Sequence, residues 1–247
     1  MKTAKSPGAK RRGGSLLAPL LDLIYPPRCP LCGALSEEGL PCDACAVALV
    51  PLTPEEPLPG LPGCYDLLIG ACLYEGVARS AVLRYKKLAL RQGEAFLAAR
   101  LAVAVRRAGR TAELVTAAPG SARETKRRGY DAGARLAAAV ANLLGLPFVP
   151  CFAPKAGGPQ KERDRAARAA AAAELRLLPG VSERVSGRSV LLIDDVVTTG
   201  ATMTACAGLL RTAGADTVTA AAFALHPQMV GESSPSPDPA QLPEGDL

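Results

Sequence analysis

The chain has no tryptophan, a single histidine and only 4% aromatic residues among its 247. With 49% hydrophobic residues it can still bury a core, but that core must be built from Ala, Leu and Val, and the abundance of alanine fits close helix packing. The one histidine, His226, has no partner nearby in sequence and reads as a bystander. No stretch approaches the roughly 18 apolar residues that a membrane-spanning helix needs. No G-x-x-x-x-G-K-[ST] segment occurs, which argues against a P-loop ATPase. The apolar run Leu16 to Ile24 follows basic residues, as an export signal would, but Pro19 and Asp22 interrupt it and no small-x-small cleavage site precedes Pro26. A cytoplasmic protein is therefore expected. The length suits one domain of ordinary size plus a small appendage. A net charge of +6 is compatible with an anionic ligand or with nucleic acid and does not decide between them.

Four of the eight cysteines fall into two C-x-x-C pairs, Cys29/Cys32 and Cys42/Cys45. Four thiolates at this spacing form the tetrahedral set of a structural Zn²⁺, and Gly33 stands where the first knuckle would need a positive φ. Disulfides are the competing reading, disfavoured in a cytosolic protein. A site with four protein ligands is closed, so its expected role is structural. Cys64, Cys72, Cys151 and Cys206 lie singly in apolar surroundings and read as small core residues.

The most informative stretch is Val190 to Thr202. Its four consecutive apolar residues, Val190 to Ile193, predict a strand buried on both faces, as in a parallel sheet. At its carboxyl end stand Asp194 and Asp195, then the small and hydroxylated loop Val196, Val197, Thr198, Thr199, Gly200, Ala201, Thr202. The apolar period next changes to that of a helix. Backbone N–H groups at a helix N-terminus, helped by Thr hydroxyls and by a glycine that allows close approach, can surround a phosphate. The two carboxylates can accept hydrogen bonds from vicinal hydroxyls such as those of ribose, or face a Mg²⁺ that bridges to phosphate oxygens. The ligand so described is a ribose 5-phosphate. A response-regulator receiver also carries an acidic pair but lacks the Thr-Thr-Gly loop, and an ordinary buried strand does not explain two successive charges.

Along the chain, residues 1–14 are basic, without periodicity, and predict a disordered tail. Residues 15–50 hold a short helix, from Ser15 to Pro26-Pro27, and the cysteine knuckles. Residues 51–63 are proline-dense and read as a semi-rigid linker and domain boundary. Residues 64–226 alternate strand and helix: strands at about Tyr65–Tyr74, Glu113–Ala118, Phe148–Phe152, Val190–Ile193 and Thr217–Leu225, and helices after Val77, from about Gln92 to Ala108, from Asp131 to Leu144 and after Thr202. The loop Pro119-Gly120-Ser121, with Arg127 and Arg128 beyond it, offers the donors a pyrophosphate needs. Gly157 to Arg168, with Gln160, Arg163 and Arg168, reads as a candidate mobile loop closing over anions. Residues 227–247 read as a second disordered tail.

The Val190–Thr202 segment closely resembles the phosphoribosyl pyrophosphate (PRPP) motif of type I phosphoribosyltransferases. The whole order from Leu16 to Leu225 resembles the ComF family, which includes the GntX-type proteins: Pro26-Pro27-x-Cys29-x-x-Cys32, the second knuckle, Tyr74-x-Gly76 with a helix leading to Lys86, the Pro119 loop with Arg128-Gly129-Tyr130, and Asp194–Thr202. The resemblance implies a doubly wound, mainly parallel α/β sheet of the type I phosphoribosyltransferase kind, preceded by a small zinc module. It further implies Asp194 and Asp195 at the ribose hydroxyls and Mg²⁺, Thr198 to Thr202 at the 5-phosphate, and a link in some bacteria to single-stranded DNA uptake, with competence helicase-type proteins as partners. The chain departs from the family in having Asp131-Ala132 for Asn-Gln, and Gly157 and Ala171 for the Thr and Asn of the loop segment. Two functions follow as expectations: transfer of ribose 5-phosphate from PRPP with release of pyrophosphate, or a non-catalytic PRPP-sensing or single-stranded-DNA-handling role.

Overall fold

The computed structural model describes residues 26–36, 39–52, 58–59, 64–88, 91–155 and 175–230. The expected tails, the helix over residues 15–24 and the loop with Gln160, Arg163 and Arg168 lie outside the described residues. The elements in chain order are α1 (Asp43–Ala48), β1 (Leu58–Pro59), β2 (Leu67–Leu73), α2 (Gly76–Leu88), α3 (Arg91–Arg107), β3 (Leu114–Ala117), α4 (Ala122–Arg128), α5 (Ala132–Leu144), α6 (Val181–Val185), β4 (Ser189–Val197), α7 (Ala201–Thr212) and β5 (Thr217–Leu225).

The sheet has the order β1-β2-β5-β4-β3, parallel except for the antiparallel edge strand β1. Helices cover both faces, as a parallel sheet requires. On one side α2, α3 and α5 pack over Ile69, Leu191, Ile193, Ala221 and Phe223. On the other α6 and α7 pack over Leu68, Val190, Leu192, Val218 and Ala220. This is the doubly wound α/β architecture expected. The alanines of β5 and of α3 (Ala98, Ala102) are buried, so small side chains let the helices lie close to the sheet. Two of the chain's four phenylalanines, Phe96 and Phe223, meet edge to face with centroids 6.4 Å apart.

Two expectations need correction, and one element is added. The motif strand does not end at Ile193: its ladder with β5 continues through Asp194↔Ala222 to Val197↔Leu225, so the acidic pair lies within β4. The segment Phe148–Phe152 forms only isolated bridges, Val115↔Phe148 and Phe152↔Leu177, because Pro147 and Pro150 remove two ladder donors. The basic cluster after Ser121 is a helix, α4, stabilised by Glu124 pairing with Arg127 and Arg128 one turn on. The proline-rich stretch supplies the edge strand β1, and Pro51 bridges to Cys72.

The cysteine knuckles share an apolar cluster with the sheet. Cys29, Leu31, Cys45 and Leu49 are buried in the same cluster as Ala78, Val82 and Tyr85 of α2. Gly33 takes φ 84°, and a Cβ there would fall 2.3 Å from the Arg84 guanidinium carbon, so the first knuckle lies directly against α2.

Leu192 is fully buried between Thr116 and Ala220 in register. Leu192→Ala should lower the unfolding free energy by about 2–5 kcal/mol in urea titrations, the range for a leucine cavity that cannot collapse.

Candidate functional site

β4 delivers Asp194 and Asp195 to one wall of a cleft of ≈340 Å³, and the β3–α4 loop delivers Pro119, Gly120 and Ser121 to the other. Arg128, Asp131 and Lys86 complete its lining. Successive strand residues point to opposite sides. Asp195, 5% exposed, accepts an ion pair from Lys86 of α2, with Nζ 2.7 Å from Oδ1. Although burial disfavours its charge, Asp195 holds the Lys86 ammonium above its ordinary value. Among the described residues Asp194 has no such partner. Its Oδ1 accepts the Asp195 N–H at 2.7 Å. Burial, and then the charge of Asp195, push its carboxyl up to about 7 against the pull of Lys86 and Lys155. Two hard oxygen donors that resist joint ionisation are a donor set that fits a divalent cation such as Mg²⁺.

Beyond β4, Gly200 takes φ 73° and caps α7, with the Thr204 N–H bonding to its carbonyl at 2.8 Å. The N–H groups of Ala201 to Met203 thus face outward at a helix start. Thr198 and Thr199 are exposed beside them. Thr202 is tied to the cleft's other wall: Lys155 Nζ donates to its Oγ1 at 2.9 Å, while the Lys155 N–H bonds to the Gly120 carbonyl at 3.0 Å.

The structure therefore places Asp194, Asp195, Pro119, Gly120, Ser121 and Arg128 on one cleft, with Val196 and Val197 at the end of β4 and Thr198 to Thr202 just past it. Arg127 is not brought in: its side chain is 65% exposed and turned to Glu124. Arg128 is one-fifth exposed, and among the described residues its buried Nε has no hydrogen-bond acceptor, a donor left over for an anion. Lys86 and Lys155 were missed as site residues. Lys86 stood in sequence as one of several basic residues ending a helix, and Lys155 is joined to the site only by long-range contacts. His226 accepts the Gln228 N–H at 3.4 Å at the start of a 3₁₀ turn, away from the cleft lining.

The four knuckle thiols lie within 4.8 Å of one another, with Cys32 and Cys42 Sγ 3.7 Å apart. Tetrahedral Zn²⁺ at about 2.3 Å from each sulfur requires sulfurs about 3.8 Å apart. Burial opposes ionisation of Cys29, yet N–H donors, including that of Cys42 at 3.4 Å, bring it down to about 6. Burial and the neighbouring thiols push Cys45 upward. Four sulfurs that cannot all ionise unaided are what a Zn²⁺ would neutralise. By contrast, burial pushes the thiols of Cys72 and Cys206 up to about 12, as for inert core residues.

Residues 131–237 match the model of the phosphoribosyl transferase domain, and residues 20–58 match that of the double zinc ribbon domain. No curated protein matches the chain significantly in sequence. Among solved structures, the chain is similar to an allosteric regulatory enzyme of purine biosynthesis, with 22% identity, TM-score 0.35, and coverage of 51% of this chain and 24% of that one. It is also similar to glutamine PRPP amidotransferase from B. subtilis, with 21% identity, TM-score 0.32, and coverage of 51% and 25%. The third is a purine phosphoribosyltransferase from Pyrococcus horikoshii Ot3, with 19% identity, TM-score 0.35, and coverage of 56% and 77%. The chain spans about a quarter of the length of the first two. The family match and the strand order identify a type I phosphoribosyltransferase fold with an N-terminal zinc ribbon. Asp194 to Thr202 fall inside the matched residues, whereas Lys86, the Pro119 loop and Arg128 precede them. Among the described residues no helix is long and apolar enough to cross a membrane.

Two outcomes are expected. Folding raises the Asp194 pKa from 3.8 to about 7. Its contribution is thus fully present below about pH 4 and lost as pH rises through about 7. Asp194→Asn should raise Tm at about pH 8 and leave it nearly unchanged at about pH 4, as read in paired thermal melts. Cys42→Ser should release the zinc bound by the wild type, as measured by elemental analysis, and lower the Tm; retention of metal would exclude the four-thiolate site.

Proposed function

We propose that the chain binds PRPP in the cleft between β4 and the Pro119 loop and transfers its ribose 5-phosphate to an acceptor, releasing pyrophosphate. The observation that carries this reading is the meeting of Asp194 and Asp195 with Pro119–Ser121 and the Arg128 Nε, unpaired among the described residues, in one cleft, with the exposed Thr198 and Thr199 and the helix start at Gly200 beyond the same strand. In this reading Val196 to Thr202 hold the 5-phosphate through backbone N–H and hydroxyl donors. Asp194 and Asp195 accept the ribose hydroxyls, and Pro119, Gly120, Ser121 and Arg128 hold the pyrophosphate, with Arg127 reaching it only by leaving Glu124. Asp194 and Asp195 would also hold a Mg²⁺, which supplies charge neutralisation for the pyrophosphate. As the bond from the anomeric carbon to the pyrophosphate oxygen lengthens, the sugar becomes cationic and the leaving group anionic. Fixed carboxylates near the sugar and fixed cations near the leaving group favour that separation, so no covalent nucleophile is needed.

The resemblance to the ComF family supports a cytoplasmic location and a part in DNA uptake. A second reading, a single-stranded-DNA-handling factor working with helicase-type partners, is favoured by one observation: Arg123, Lys126 and Arg127 of α4 are exposed beside the cleft. A phosphate backbone bound there would be lost steeply with added salt.

Calorimetric titration with PRPP, with and without Mg²⁺, should show magnesium-dependent binding. Asp195→Asn should weaken it about tenfold or more with unchanged circular dichroism, the cost of losing a charged acceptor. The Asp194→Asn/Asp195→Asn protein should not bind. Full retention of affinity in the double variant would refute the PRPP site.

A further inference from the structure

Lys86 belongs to neither the phosphate loop nor the pyrophosphate loop, yet among the described residues it is the cation in direct contact with the acidic pair. Its Nζ lies 2.7 Å from Asp195 Oδ1, and its side chain is 31% exposed against 7% for Asp195. Its main chain is fixed. The Tyr130 hydroxyl donates to the carbonyls of Tyr85 at 3.0 Å and Lys86 at 3.3 Å, and the Tyr85 hydroxyl donates to the Ala132 carbonyl at 2.7 Å. These two tyrosines tie the end of α2 to the Arg128–Ala132 strip on the facing wall of the cleft. The side chain is not fixed in the same way, since a lysine is a point charge on a flexible four-carbon stem.

We propose that Lys86 is an internal counter-ion: it occupies the divalent-cation position at Asp195 while the cleft is empty, and turns to the pyrophosphate group when PRPP is bound. The proposal rests on the PRPP reading of the cleft. An ammonium in contact with Asp195 competes with any divalent cation for the same oxygen, because like charges at that separation repel. Once displaced, it meets a facing wall whose carboxylates are already engaged, Glu124 with Arg127 and Arg128 and Asp131 with the Ala134 N–H, so the anion open to it is the group lying against Gly120, Ser121 and Arg128. Lys86 thus has two opposed effects. It weakens binding of a bare divalent cation and strengthens binding of pyrophosphate, so the cleft takes up cation and PRPP together. A merely structural lysine would not divide the two.

The test uses the zinc-loaded full chain, with Mn²⁺ alone and inorganic pyrophosphate alone as probes. Lys86→Met should bind Mn²⁺ about tenfold more tightly in electron paramagnetic titrations and pyrophosphate about tenfold more weakly in calorimetry, while Lys86→Arg keeps pyrophosphate affinity, as expected of one charge removed or retained. Adding Asp195→Asn should abolish the gain in Mn²⁺ affinity. Lys86→Gln serves if the Met variant melts early. Unchanged Mn²⁺ affinity, or a parallel fall in both affinities at unchanged Tm, overturns the proposal. Wild-type protein that fails to bind PRPP overturns the reading of the cleft instead, and the Mn²⁺ titrations still decide whether Lys86 guards the acidic pair.

Discussion

Two adjacent carboxylates held inside a buried parallel strand are the constraint on which the rest of this structure depends. A strand flanked by β3 and β5 can bury charge only where its neighbours supply countercharge or room for a ligand. Asp195 has Lys86, and Asp194 has the more distant Lys155 and a carboxyl driven toward its neutral form. The surrounding pieces are placed to serve that pair: α2 brings one lysine, the turn after Phe152 brings the other, and the β3–α4 loop closes the cleft. Such local cost is the usual mark of a site kept for binding rather than for stability.

The zinc ribbon enters the same arrangement through α2. Its buried leucine and thiols share a cluster with Val82 and Tyr85, and Arg84 lies across Gly33. One helix therefore carries three consecutive contacts of different kinds: Arg84 to the ribbon, Tyr85 to the start of α5, and Lys86 to the acidic pair. Its successive side chains point in different directions around the axis, which is how one short segment reaches three neighbours. The ribbon is packed against the α/β domain through α2, not hung from it.

Much of this was legible in the sequence because it is local. The apolar run Val190–Ile193, the paired knuckles and the strand Thr217–Leu225 are each specified within a few residues, and the alternation of strand and helix marks an α/β chain, whereas the doubly wound class followed from the family resemblance. The misreadings have physical causes. Asp194 and Asp195 looked like the end of a strand because charges rarely lie inside one; pairing with Ala222 and Val197's partner Leu225 carries β4 through them. The apolar spelling of Phe148–Phe152 suggested a strand that Pro150 within it and Pro147 just before it reduce to isolated bridges. Glu124 was the overlooked sign that the basic cluster is helical. Lys86 was marked only as the end of the helix after Tyr74-x-Gly76, without a role at the site, and nothing local marks Lys155: each acts on a residue far along the chain, at 109 and 47 positions' distance.

The strand order has a consequence for how the molecule comes to exist. β5 follows β2, β3 and β4 in the chain yet is inserted between β2 and β4, with Leu67 facing Thr219 and Ser189 facing Thr217. Until residues 217–225 leave the ribosome the described sheet is two separate pieces: β2 beside the cysteine knuckles, and β4 with β3. The knuckle cysteines lie in one short stretch, Cys29 to Cys45, whereas the acidic pair lacks its β5 neighbour until long-range pairing joins the two pieces. The four thiols can thus come together before the cleft has a completed sheet behind it.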